Sequence, residues 1–208
     1  MKKIIIPTGI VVITIGVLLV SYRLWWQSYN IGAASMAPTL IQGDVVLARK
    51  TQVDTTYNRG DLILFRHADP VNEIYVKRVI AVAGDVVDFQ GQELVLNNNA
   101  LIRVPQEGSW SKSDIPRWLQ GTTYLEQNYG RRYEILIVNS KEGPKGKITV
   151  PPDHYFVLGD NRNQSRDSRF IGPIPAAAVV GKPVLIWWSA ISMPKRLIRW
   201  ERIGRFVN

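Results

Sequence analysis

A mainly β protein with one N-terminal transmembrane helix is what the 208-residue sequence predicts, and three observations predict it. Residues 4–22 carry no charge. From Asp44 onward, short runs of β-branched and aromatic residues recur between glycine, proline, asparagine and aspartate. Between Asp44 and Gly181 no ten-residue stretch has the 3.6-residue apolar period of an amphipathic helix, so the part outside the membrane reads as all-β.

The uncharged run spans about 28 Å as a helix, just enough to cross a bilayer. Lys2 and Lys3 precede it and only Arg23 follows closely, which places the N-terminus in the cytoplasm and the bulk of the chain outside. Trp25 and Trp26 then fall at the outer headgroup level. A cleavable signal peptide is the competing reading, because Gly32, Ala33 and Ala34 supply small residues. The run is longer than a signal-peptide core, and Arg23, Trp25 and Trp26 separate it from those small residues, so an uncleaved anchor over residues 1–24 fits better.

Residues 25–208 then form one extracytoplasmic domain, with strands at "DVVLAR", "DLILFRH", "EIYVKRVIAV", "DVVDF", "ELVLNN", "YEILIV", "KITV", "HYFVLGD" and "PVLIWWS". Residues from about 90 to 152 are richer in polar and turn signals ("LNNNAL", "QEGSWSKSDIPRW", "KEGPKGK") and read as a β-rich insertion.

With 46% hydrophobic residues the chain can bury a real core. The absence of cysteine excludes a disulfide framework, a cysteine nucleophile and a thiolate zinc site. A formal charge of +9 points to an anionic partner, phospholipid or nucleic acid. At the C-terminus Lys195, Arg196, Arg199, Arg202 and Arg205 oppose only Glu201 and are interleaved with Leu197, Ile198, Trp200, Ile203 and Phe206. Basic residues mixed with large apolar ones favour a membrane surface over nucleic acid.

Three segments carry chemistry. "SMAPTL", from Ser35, puts a serine before a proline-containing turn, which alone is a common loop sequence. A serine hydroxyl needs a neighbouring base to become a nucleophile. The only two histidines, His67 at a strand end and His154 in a turn, lie in no histidine-dependent motif and read as structural. Lys77 lies mid-strand in "EIYVKRVIAV", sharing a face with Tyr75, Val79 and Ala81. A lysine there either snorkels to water or loses its proton, since burial lowers a lysine pKa by up to about 3 to 5 units. Arg78, on the opposite face, needs a carboxylate partner if buried. "GDNRNQSRDSR", residues 159–169, packs Asp160, Arg162, Arg166, Asp167 and Arg169 together, either as a solvated loop or as charges supporting a site where Ser165 orients the lysine.

Taken together, "SMAPTL", "RGDLILF", "KRVIAVAGD" and "GDNRNQSRDSR", in this order behind one anchor, resemble the bacterial type I signal peptidases. The resemblance runs over essentially the whole chain and is weakest across the insertion. It implies an all-β catalytic domain of coiled, partly barrel-like sheets lying on the outer membrane surface. It implies Ser35 as nucleophile, Lys77 as general base, Ser165 as the hydroxyl that orients Lys77, and Met36 lining the site. Asp160, Arg78, Asp167 and Arg169 fall on the structural ion-pair positions. The backbone N–H of Ser35 serves the oxyanion, whereas Ala33 stands where one branch of the family has a serine hydroxyl and other branches have glycine. The implied substrate is a preprotein signal peptide cut after small residues, with no metal, no cofactor and no nucleic acid involved. A related serine-lysine maturation peptidase of a conjugation or secretion system differs mainly in substrate, and a self-cleaving repressor is disfavoured by the span. The most distant alternative is a non-catalytic, membrane-tethered module with a basic surface.

Overall fold

In the computed structural model, residues 8–67, 73–106, 121–138, 143–191 and 197–207 are described. The uncharged run becomes helix α1 (Thr8–Trp25), which ends where Trp26 and Tyr29 favour extended backbone in β1 (Trp26–Asn30). Among the described residues no helix is long and apolar enough to cross a membrane. The predicted span begins at Ile4, and residues 1–7 lie outside those described.

The remaining elements are β2 (Asp44–Lys50), β3 (Leu62–Arg66), β4 (Ile74–Val82), β5 (Val86–Gln90), β6 (Glu93–Leu96), β7 (Asn99–Ala100), β8 (Ile102–Gln106), β9 (Thr122–Asn128), β10 (Arg131–Ile137), β11 (Lys145–Thr149), β12 (His154–Leu158), α2 (Ser168–Ile171), β13 (Ile174–Pro175) and β14 (Val179–Ser189). All nine runs read as strands in the sequence fall on strands. The mainly β prediction holds, and the only described α-helix beyond α1 is the single turn α2, capped by the Asp167 side chain.

A seven-stranded antiparallel sheet has the order β1-β2-β14-β3-β4-β12-β13. Register shifts in β14 at Pro183/Leu185 and Ile186/Trp188, and in β4 at Ile80, opposite Phe156/Val157, bend these strands and curl the sheet. Two smaller sheets, β10-β9-β8 and β11-β5-β6-β7, combine β5 with strands from the stretch expected to be an insertion.

The small sheets do not carry a core of their own. Ile80, Ala81, Phe156 and Leu158 of the large sheet pack in one cluster with Val87, Phe89 and Leu96 of one small sheet and Tyr133 and Ile135 of the other. Each such large apolar side chain contributes about 1.5 to 3 kcal/mol on burial, so the insertion is welded to the sheet that carries the motifs.

Candidate active site

The turn after β1 is held down by its own apolar residues. Met36 and Leu40 are fully buried among Ile31, Val46, Leu62, Ile186 and Val207, while Ser35 stays half-buried between them and the surface. Ala37 N–H donates to Ala34 O and Leu40 N–H to Met36 O, closing the turn. Met36, expected to line the site, thus faces the core and is absent from the groove wall described below. Its length and lack of a polar terminus suit it to core packing.

Lys77 is in the middle of β4, paired with Ile63 of β3, and is 4% exposed. Its Nζ donates to Ser35 Oγ at 2.9 Å and to the Val76 carbonyl at 3.0 Å. Burial pushes the ammonium down to about 8, against the pull of Asp167 and Asp160, which favour the charged form. Of the two fates open to this lysine, burial is the one observed.

Arg78, one residue on, points to the other face. It is 1% exposed and forms a two-pronged pair with Asp160, Nε to Oδ1 at 2.8 Å and Nη2 to Oδ2 at 2.7 Å. Nη1 donates to Gly60 O at 2.7 Å, and the guanidinium lies 4.1 Å from the Tyr133 ring centre. Asp160 also accepts from Thr39 Oγ1 in the nucleophile turn. Asp167 pairs with Arg169 through both its oxygens, at 2.8 Å each, and accepts the Gly159 N–H. The loop over 159–169 is therefore no solvated loop: Asp160, Asn161, Arg162, Ser165 and Asp167 are all buried.

Ser165 lies behind Ser35. A Cβ at Gly159 would collide with Ser165 Oγ and the Ser35 carbonyl, so glycine is needed for this close approach. The bond expected from Ser165 to Lys77 is not formed: Ser165 Oγ is buried without a hydrogen-bond partner, and Lys77 Nζ donates to Ser35 and Val76.

Sequence reading missed four residues. Asn161 donates from its backbone N–H to Ser35 O (3.1 Å) and from Nδ2 to Ala34 O (3.2 Å), so one asparagine holds the carbonyls of the two peptide groups that flank the Ser35 Cα. Glu126 of β9, 0% exposed, receives Arg162, Arg103 and the Tyr133 hydroxyl. Asp44 receives Arg202, at 2.6 Å, and Ser189. Asp85 receives Arg59 through both oxygens, at 2.8 and 2.6 Å, joining the "RGDLILF" and "KRVIAVAGD" segments. Only burial shows that Arg162 and Arg202 demand a carboxylate, so the sequence carried no signal for these partners.

The C-terminal arginines change role accordingly. Arg199 and Arg202 are buried against Asp44, and Arg202 also donates to Thr39 O. These two are internal, so they do not reach headgroups as expected; Arg205 is exposed, and Lys195 and Arg196 lie outside the described residues. Trp187, Trp188, Leu197, Trp200 and Phe206 remain exposed.

Ser35 and Lys77 open onto a groove of about 390 Å³, whose walls include Tyr29, Ile31, Ala33, Leu64, Tyr75 and Val76. One wall is a strand edge: β3 pairs with β4 over Ile74 to Arg78, but β12 pairs with β4 only from Arg78 onward.

The sequence model of one protein family, signal peptidase, peptidase S26, matches residues 3–188. The chain belongs to this family. Among its relatives, signal peptidase I of Pseudomonas aeruginosa is 28% identical over 189 residues, covering 78% of this chain and 65% of the relative. Signal peptidase I of Aquifex aeolicus is 29% identical over 194 residues, covering 78% and 76%. That of Rickettsia typhi is 28% identical over 220 residues, covering 100% and 78%. The chain thus spans just under two thirds of the Pseudomonas relative's length. A crystal structure of a signal peptidase I from Enterococcus faecalis aligns with 27% identity and a TM-score of 0.37, over 62% of this chain and 97% of that one.

Proposed function

We propose that this chain is a membrane-anchored serine endopeptidase that removes signal peptides from exported preproteins, with Ser35 as nucleophile and Lys77 as general base. The observation that carries the reading is the 2.9 Å contact between Lys77 Nζ and Ser35 Oγ at a groove, with the lysine pushed down to about 8 by burial. When Lys77 is neutral, the same contact reverses. The Ser35 hydroxyl then donates to Nζ, and its proton moves to the amine as Oγ attacks the scissile carbonyl. The protonated Lys77 returns the proton to the leaving amine, an acyl-enzyme remains on Ser35, and neutral Lys77 then activates the water that releases it.

The free edge of β4 supports an extended substrate that adds as a strand beside residues 74–77. In such a strand the first and third residues before the scissile bond point to the same face, so both meet the groove wall that Ile31, Leu64 and Val76 help to line. Small side chains at both positions are what the resemblance to signal peptidases implies. The Ser35 N–H donates to the developing oxyanion, with no hydroxyl at Ala33 to add to it. Ser165, buried with an unpartnered Oγ close behind Ser35, is the group that takes Lys77 as a partner when substrate closes the site.

Location follows from the N-terminal run. Outward-facing Val17, Val20 and Leu24 on α1, continued by exposed Trp25, suit a lipid environment, and the two lysines ahead of the run put the catalytic domain outside the cytoplasm. Incubating the purified chain with one preprotein in detergent and sequencing the new N-terminus tests the function. A single cut after a small-x-small sequence, lost in Ser35→Ala, is the expected result; an uncut preprotein, or a cut that survives Ser35→Ala, overturns the reading.

A further inference from the structure

We propose that Glu126 is a positioning residue of the Ser35 site, acting through Arg162 and Asn161. The inference rests on the Ser35 and Lys77 reading above and adds to it a residue from the insertion, 91 positions along the chain from the nucleophile.

The nucleophile turn is held by its own apolar packing and backbone bonds and, beyond these, by the 159–162 segment. Its carbonyls at Ala34 and Ser35 are both taken by Asn161, from Nδ2 and from the backbone N–H. Asn161 is in turn fixed from the insertion side. Leu136 of β10 donates to Asp160 O at 2.8 Å and accepts from Arg162 N–H at 2.9 Å, which places Asn161 in a parallel bridge with β10. The backbone at 160–162 is therefore tied by one bridge to the β10 edge of the small β10-β9-β8 sheet.

Arg162 locks that segment. Its side chain is 2% exposed, and Nη1 and Nη2 reach both oxygens of Glu126, the second at 2.6 Å. Nε turns back to Gly159 O at 3.2 Å, closing the bend that brings Gly159 against Ser35. Glu126 is itself fixed from two further sides, by Arg103 Nε at 2.9 Å and by the Tyr133 hydroxyl at 3.0 Å. Burial raises its carboxyl, but Arg162 and Arg103 outweigh it and hold the group down at about 2, ionised at every working pH. A fully buried guanidinium bonded at both forks has one orientation open to it. The chain of contacts from Glu126 through Arg162 and Asn161 to the Ser35 carbonyl thus has no loose joint.

Neutralising Glu126 leaves Arg162 and Arg103 close together without their shared carboxylate, and the 159–162 bend relaxes away from the nucleophile. Nucleophilic attack depends on sub-ångström placement of Oγ, whereas binding of an extended peptide along the β4 edge does not use this bend. Glu126→Gln should therefore lower kcat per folded molecule by about 10- to 100-fold while KM changes less than about threefold. A role confined to stability would lower Tm and leave kcat per folded molecule unchanged.

The experiment compares wild type, Glu126→Gln and Tyr133→Phe in three readouts: Tm, kcat and KM on one preprotein-derived peptide well below Tm, and amide hydrogen exchange in peptides covering residues 31–41 and 159–165. Tyr133→Phe removes one hydroxyl bond to the Glu126 carboxylate and leaves both arginine bonds in place, and it keeps the test available should Glu126→Gln not fold. For it a fall in kcat of about threefold with unchanged KM is expected. Faster exchange at the Asn161 amide and in the 31–41 peptide should accompany the fall in both variants. Unchanged kcat and unchanged exchange, with only a lower Tm, overturn the proposal. A wild type that does not cleave the peptide overturns the functional reading instead, and the exchange measurement still decides whether Glu126 positions the turn.

Discussion

Arg78 and Asp160 are joined fork to fork in the interior, although 82 residues separate them, and this pair ties the strand that carries Lys77 to the loop that carries Ser165. Lys77 and Arg78 are neighbours on opposite faces of β4, so whatever fixes the Arg78 guanidinium also fixes the register at which Lys77 meets Ser35. Asp160→Asn should destabilise the fold by about 3 to 5 kcal/mol, since it strands a buried guanidinium. A shift of the urea midpoint at constant slope checks this.

Lys77→Met should remove activity and leave the fold intact. Methionine fits a buried strand position in length but accepts no proton. Lys77→Arg should be equally inactive, because guanidinium stays protonated. Circular dichroism and a cleavage assay on the same samples measure both parts. Substantial activity in either variant would transfer the base role to another group.

Ala33→Ser should raise kcat by up to roughly tenfold with little change in KM. Residue 33 is exposed on the groove wall two places before the nucleophile, where a hydroxyl can meet negative charge as it develops on the scissile carbonyl. Steady-state constants for both proteins on one peptide decide it. A lower KM at unchanged kcat would mean that residue 33 touches the substrate and not the oxyanion.

Deleting residues 1–24 should leave an enzyme that still cleaves in detergent and still associates with vesicles. Sequence alone assigns that association to the C-terminal basic and aromatic residues together. With Arg199 and Arg202 held by Asp44, we propose that the exposed Trp187, Trp188, Trp200 and Phe206 make most of it, with Arg205 the exposed arginine among the described residues of this segment. Flotation of the truncated protein should therefore depend only weakly on salt and on anionic lipid. Flotation abolished by moderate salt would return the role to charge.

The strands were readable because one or both faces bury apolar side chains at a period of two, as in "EIYVKRVIAV" and "HYFVL". Strands β1 and β9 were not read, for different reasons. β1 is "WQSYN", whose aromatics also suit a headgroup belt, and β9 is "TTYLEQN", whose inward positions include Glu126 and Asn128 in place of apolar residues. The nucleophile and base were found through motif order, and Lys77 also stood out as a charge within an apolar strand. Glu126, Asp44 and Asn161 were invisible, because a buried polar residue and a surface one look alike until the partner chain segment is known. The same ambiguity sent Arg199 and Arg202 to the membrane.

The pH dependence of kcat/KM for the wild type tests the central claim most directly, since it reports the ionisation of the free enzyme's base. Lys77 is active as base only when neutral, and burial lowers its pKa to about 8. The rate should therefore climb from neutral pH through a single midpoint near 8, gaining about tenfold between pH 7 and 9. A midpoint near that of an ordinary histidine, or a rate flat across this range, would contradict the assignment of Lys77 as the base that activates Ser35.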